Sequence, residues 1–151
     1  MISSNTIASV LEWFREARPN PNEKAFVNQL GVHCEEIVEM LMEVSTEDLE
    51  TRNLILNAQT HMHLLAEHLK TNGPLVEVPP QNRQGFLDAL VDQIVTATGC
   101  AHGQNMDIVG GLAEVDDSNW SKFEDGKAIF DETGKIAKGK NYRKANLEPF
   151  V

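Results

Sequence analysis

Two short stretches of this sequence carry acids at a spacing that can do chemistry. His33-Cys34-Glu35-Glu36-Ile37-Val38-Glu39 gathers glutamates, and Leu87-Asp88-Ala89-Leu90-Val91-Asp92-Gln93 places two aspartates four residues apart. Each stretch lies in a segment of helical periodicity, where acids three or four residues apart stand on one face, a turn above one another. Clustered carboxylates repel one another and are costly to bury. A divalent cation with oxygen ligands offsets that repulsion, which makes these acids candidate metal ligands.

The second stretch is the sharper of the two. Between Phe86 and Ala101 the charged residues are Asp88 and Asp92 alone. Phe86, Leu90, Ile94 and Ala97 make one apolar row, and Leu87, Val91 and Val95 make another, so the helix is apolar on most sides and reads as buried. Aspartates in such a helix need a partner. Ion pairing with Arg or Lys is the alternative to a metal, but residues 1–121 offer six basic side chains: Arg15, Arg18, Lys24, Arg52, Lys70 and Arg83.

The elements that must position these acids follow from caps and breakers. Ser3 or Ser4 caps a first helix to about Ala17, and Arg18-Pro19-Asn20-Pro21-Asn22 ends it. A second helix, about Glu23 to Val44 with Asn22 as cap, has a core row of Phe26, Leu30, His33, Ile37, Leu41 and Val44. Glu36, Glu39 and Glu43 form a stripe beside that row; a solvated charge face is the competing reading. Ser45-Thr46-Glu47-Asp48 opens a third helix to about Lys70, stopped by Thr71-Asn72-Gly73-Pro74. Residues 75–82 read as an extended linker. A fourth helix spans about Arg83 to Ala101, and a short fifth, weakened by Gly110-Gly111, spans Met106 to Val115. In the last third, Ala128-Ile129-Phe130 and Lys135-Ile136-Ala137 flank Asp131-Glu132-Thr133-Gly134, which reads as a short β-hairpin or a loop. The expected fold is all-α, a bundle of four to five helices with a C-terminal arm, in a single domain of 151 residues. The helical body takes about residues 1–117 and the arm about residues 118–151.

Charge is divided unevenly along the chain. The net charge of −10 argues against general nucleic-acid binding. Residues 1–121 hold 18 acids against 6 bases, whereas residues 122–151 hold 7 bases against 5 acids. An acidic body with a basic tail suits a metal site and an anion-contacting arm; the other reading of the tail is a solvated loop. Cys34 and Cys100 fall in helical segments and read as small buried residues in a reducing compartment. The five histidines show no paired Cys/His zinc spacing. With neither a signal peptide nor an apolar run long enough for a membrane span, the expected address is cytoplasmic, the host cytoplasm if the source is viral.

Glu36-x-x-Glu39 on one helix, with an acidic helix about fifty residues later, resembles the MazG-like all-α nucleoside triphosphate pyrophosphohydrolases. The tail adds Ser118-Asn119-Trp120-Ser121-Lys122, Asp125-Gly126-Lys127 and Gly134-Lys135-Ile136-Ala137-Lys138-Gly139-Lys140-Asn141-Tyr142, an order similar to the phage and bacterial branch. The resemblance covers about residues 25–145. It implies hydrolysis of a nucleoside triphosphate to monophosphate and pyrophosphate, with Mg²⁺ or Mn²⁺ as cofactor and two or more ions per site. Its metal set is Glu36 and Glu39, then Asp92, with Glu35 activating water directly or through another metal. Ala89 stands where the family has Glu, and Asp88, a turn from Asp92, is the substitute. Lys122, Lys135 and Lys138 are the phosphate ligands, with Asn119 and Tyr142 as neutral donors to sugar or phosphate. The branch points to a purine substrate, dGTP or GTP first. Family members assemble as dimers or tetramers, and the apolar fourth helix agrees with a homo-oligomer; neither nucleic acid nor membrane is an expected partner. The rival classes are a helical interaction module and a nucleotide-binding regulator without turnover, the latter favoured by Ala89.

Overall fold

The computed structural model describes residues 5–132 and 135–151. Among them are five α-helices and no β-strand. The helices are α1 (Asn5–Ala17), α2 (Glu23–Met42), α3 (Leu49–Asn72), α4 (Arg83–Gly103) and α5 (Ile108–Trp120). The expected all-α class is thus observed. The caps foreseen for α2 and α3 form: Asn22 Oδ1 accepts from the Ala25 N–H at 2.9 Å, and Asp48 Oδ2 accepts from the Thr51 N–H at 2.7 Å. Gly73 closes α3 in the left-handed region, at φ 53°. The expected capping serines, Ser3 and Ser4, lie outside the described residues.

The chain divides into two compact units, Pro21–Pro79 and a discontinuous one of Met1–Asn20 with Pro80–Val151. The first is a helical hairpin of α2 and α3. Its core is Val27, Cys34, Ala66 and Leu69, with Phe26, Leu30, Met62 and Val76 packed around it. The buried row of α2 is therefore Val27, Gly31, Cys34 and Val38, one residue round from the expected row. Phe26, Leu30, His33, Ile37 and Leu41 are half-buried, and Val44 is exposed beyond the helix end. Small side chains decide this. A Cβ on Gly31 would lie 3.0 Å from the Ala66 carbonyl oxygen and 3.1 Å from Leu69 Cβ, so α3 approaches α2 along the row that lacks bulk.

In the second unit, α5 packs on α1 and also meets α4. Trp13, Ala17 and Phe123 are its core, with Phe14, Trp120, Ala128 and Ile136 against them. The indole N–H of Trp13 donates to the Asn119 carbonyl at 2.9 Å, and that of Trp120 donates to Ser9 Oγ at 3.0 Å, satisfying both rings' polar edges. Helix α5 runs five residues past its expected end at Val115. Gly110 does not weaken it, because its missing side chain makes room for the Phe150 ring, 2.5 Å from where a Cβ would sit. A 3₁₀ turn at Pro80–Asn82 leads into α4 where an extended linker was expected.

Helix α4 departs from expectation more sharply. It buries none of its residues within the chain, and Leu87 and Val95 are 63% and 62% exposed. The sequence is apolar around the helix, yet among the described residues only Phe86, Leu90 and Ala101 of α4 are half-buried. Among the described residues no helix is long and apolar enough to cross a membrane.

Candidate functional site

The acids of α2 are set by the buried row beside them. Cys34 and Val38 face α3, which leaves Glu35 half-buried at the seam and turns Glu36 and Glu39 to solvent. Glu35 is not solvated on all sides: Lys70, near the end of α3, donates from Nζ to Glu35 Oε1 at 2.8 Å and to Glu67 Oε1 at 2.6 Å. Burial draws the Lys70 ammonium's pKa down, but its bonds to the two carboxylates outweigh that and leave it above the ordinary value. Burial also raises the Cys34 thiol, as for a packing residue.

Asp88 and Asp92 stand one turn apart on α4, both exposed, and neither makes an ion pair among the described residues. The pairing with Arg or Lys weighed from the sequence is therefore absent there. Glu35, Glu36 and Glu39 belong to the α2–α3 unit, whereas Asp88 and Asp92 belong to the other. Among the described residues no three His, Cys, Asp or Glu side chains are gathered as a cation site. The donor chemistry of Glu36 and Glu39 nonetheless fits a hard dication, since they are exposed carboxylates three residues apart on one helix.

The arm is structured. Glu124 and Lys127 exchange backbone hydrogen bonds of 2.9 Å around an Asp125-Gly126 turn, with φ of 50° and 75°. Phe130 pairs with Ile136, and the Ala137 N–H donates to the Ile129 carbonyl at 2.8 Å, so the segment read as a short hairpin or a loop holds an isolated bridge and no strand among the described residues. Thr133 and Gly134 lie outside the described residues. The chain then returns to α5: Gly139 N–H donates to the Lys122 carbonyl at 3.1 Å, and Ser118 Oγ donates to the Arg143 carbonyl at 2.8 Å. Glu114 accepts from the Asn146 N–H at 2.9 Å and pairs with Arg143, and these bonds hold its carboxyl below the ordinary range.

Two pairs of proposed substrate contacts, three and four positions apart in the sequence, lie side by side. Lys122 Nζ donates to Asn119 Oδ1 at 2.6 Å and lies 5.7 Å from the centre of the Trp13 ring. Lys138 Nζ lies 4.8 Å from the centre of the Tyr142 ring. Lys135 is exposed, its backbone N–H donating to Asp131 Oδ1 at 3.0 Å. The reading of the tail as a solvated loop fails for the core it contributes, since Phe123 is buried and Ala128 and Ile136 pack beside it.

Sequence reasoning missed Lys70, Arg143 and Asp116. Lys70 entered only as one of few bases. The signal that could have found it was Gly31, an unexplained glycine in a helix interior, which marks a close approach. Asp116 is buried on α5, and its Oδ1 has no hydrogen-bond partner among the described residues. The sequence matches no protein-family model, no curated protein and no solved structure.

Proposed function

We propose that the chain is a metal-dependent pyrophosphohydrolase that converts a nucleoside triphosphate to its monophosphate and pyrophosphate, with dGTP or GTP as first substrate. The observation that carries this reading is the arm. In a protein of charge −10, it places Lys122 beside Asn119 and Lys138 beside Tyr142 on an ordered backbone. Fixed ammonium and amide donors of this kind suit a polyanion that acids alone would repel.

In this reading Glu36 and Glu39 would hold Mg²⁺ or Mn²⁺, and Asp88 and Asp92 offer a second pair of carboxylates on α4. The bound cation would neutralise phosphate charge and acidify a coordinated water. Lys122 and Lys138 bind phosphate oxygens as point charges, and Lys135, Asn119 and Tyr142 add donors at their edge. Glu35 orients the attacking water and takes its proton as the bond to phosphorus forms in line with the leaving pyrophosphate. The exposed apolar side chains of α4, with Leu54, Leu56 and Leu64 of α3, support a homodimer or homotetramer.

The test is a panel of all common ribo- and deoxyribonucleoside triphosphates, with phosphate release measured with and without added pyrophosphatase. Turnover should appear only with pyrophosphatase in the coupled assay, require Mg²⁺ or Mn²⁺, and stop in EDTA. Glu39→Gln and Asp92→Asn should each abolish it while helical circular dichroism is retained. Direct release of orthophosphate and a diphosphate, or full activity in EDTA, refutes the assignment. A protein that binds nucleotide without turning it over supports the regulator reading, which Ala89 favours.

A further inference from the structure

Lys70 is placed by features of both helices in its hairpin. Its stem crosses α2 at Gly31, where an added Cβ would stand 2.8 Å from Lys70 Cγ. Its ammonium then reaches Glu35, four residues further along α2 and so on the same face. Glu67, three residues back on α3, accepts a second bond from the same ammonium at 2.6 Å. The lysine side chain is 19% exposed, against 31% for Glu35. This is a guided contact between two elements, unlike a chance pairing of long side chains on a surface.

That contact separates the acids of α2 by chemistry. One oxygen of Glu35 is committed to an ammonium, and an ammonium at hydrogen-bonding distance repels a dication from the same carboxylate. Glu36 and Glu39 lie on the solvent side of the helix, away from the buried seam. We propose that Lys70 is a positioning residue that fixes Glu35 as the water-orienting carboxylate and keeps it out of the metal's coordination, an inference that rests on the pyrophosphohydrolase reading above. Lys70 holds Oε1, and Oε2 accepts the hydrogen bond from the attacking water. As the water oxygen bonds to phosphorus, its proton passes to Glu35. The bond from phosphorus to the bridging oxygen breaks, and pyrophosphate leaves with the electron pair.

The experiment compares Lys70→Gln, Lys70→Arg and Glu35→Gln with the wild type. Mn²⁺ affinity is measured by electron paramagnetic resonance on nucleotide-free protein, and kcat and KM on the best nucleotide. Lys70→Gln and Glu35→Gln should each lower kcat roughly tenfold or more, the scale of a mis-set general base. Glu35→Gln should leave the Mn²⁺ dissociation constant and KM within about twofold of wild type, Lys70→Gln should bind Mn²⁺ more tightly because no ammonium then repels a dication from Glu35, and Lys70→Arg should recover much of the lost kcat. Mn²⁺ binding in Lys70→Gln no tighter than in the wild type would mean that the lysine does not hold metal off Glu35 and would overturn the proposal. Weaker binding in Glu35→Gln would make Glu35 a ligand and overturn it equally, as would wild-type turnover in Lys70→Gln. If the wild type releases no pyrophosphate from any nucleotide, the enzymatic reading fails by itself. The Mn²⁺ comparison then still decides whether Glu35 is a ligand.

Discussion

Replacing Gly31 by Ala sets two ordinary effects against each other, and the structure says which wins. In an exposed helix interior the change would stabilise by about 1 kcal/mol, because Gly is the poorer helix former. At Gly31 the new Cβ meets Lys70 Cγ at 2.8 Å, the Ala66 carbonyl oxygen at 3.0 Å and Leu69 Cβ at 3.1 Å. Two of these belong to the backbone of α3 or sit directly on it, so neither can swing away. Overpacking of this sort costs about 1–3 kcal/mol. Displacing Lys70 also weakens its pairs with Glu35 and Glu67, a small further loss at their exposure. The net expectation is a loss of up to about 2 kcal/mol. Gly99 on α4 is the control: nothing lies within 4 Å of its added Cβ, so Gly99→Ala should stabilise by up to about 1 kcal/mol. Urea titrations followed by circular dichroism give the two stabilities. Hydrogen exchange on peptides from residues 23–42 and 83–103 assigns each change to its own unit. A Gly31→Ala protein as stable as the wild type would refute the close packing of α2 on α3.

Three further outcomes are expected. Light scattering at micromolar concentration should show a dimer or tetramer, since Leu87, Val91, Ile94 and Val95 of α4 are exposed; a monodisperse monomer contradicts this. Lys122→Ala and Lys138→Ala should each cost about 1–3 kcal/mol of transition-state stabilisation in kcat/KM, with Mn²⁺ affinity unchanged. Point changes are the cleaner test of the arm, because deleting residues 122–151 also removes Phe123 from the core; two active variants would take these lysines out of the site. Glu114 is held below its ordinary value near 4.5 by the Asn146 N–H and Arg143, so its contribution to stability is full above that pH. It is lost as pH falls through the depressed value. As pH falls below 4.5 the segment 143–151 should become protease-sensitive in the wild type, whereas Glu114→Gln should be sensitive already at pH 7; equal resistance of the two proteins at pH 7 would count against that anchoring.

The sequence carried the local signals faithfully. Asn22, Asp48 and Gly73 act on their own neighbours, and each did what its side chain or its lack of one dictates. Facing was harder. Helix α2 has two adjacent apolar rows, and counting hydrophobic bulk selects the Phe26 row, whereas backbone approach selects the row with Gly31 and Cys34. Helix α4 shows the same limit from the other side: its composition says buried, but composition cannot say whether the cover lies in the same chain. At the candidate site the acids were legible as a pattern. The Lys70 contact was not, because its partner stands 35 positions away and only the α2–α3 packing brings them together.

The discontinuous unit has a consequence for how the chain is made. Trp13 bonds to Asn119 and Trp120 to Ser9, partners separated by 106 and 111 positions. The α2–α3 hairpin is contiguous and can form as soon as residues 21–79 have emerged. Helix α1 must meanwhile wait for α5, and at about 5–20 residues per second that delay is on the order of 5–20 s. For that interval Trp13 and Phe14 have no native partner beyond α1 itself, so the N-terminal segment is where a chaperone would be needed during synthesis. Moving residues 5–20 to follow the C-terminus through a flexible linker would put these partners side by side in time. Such a permuted chain should give more soluble protein when synthesis is fast.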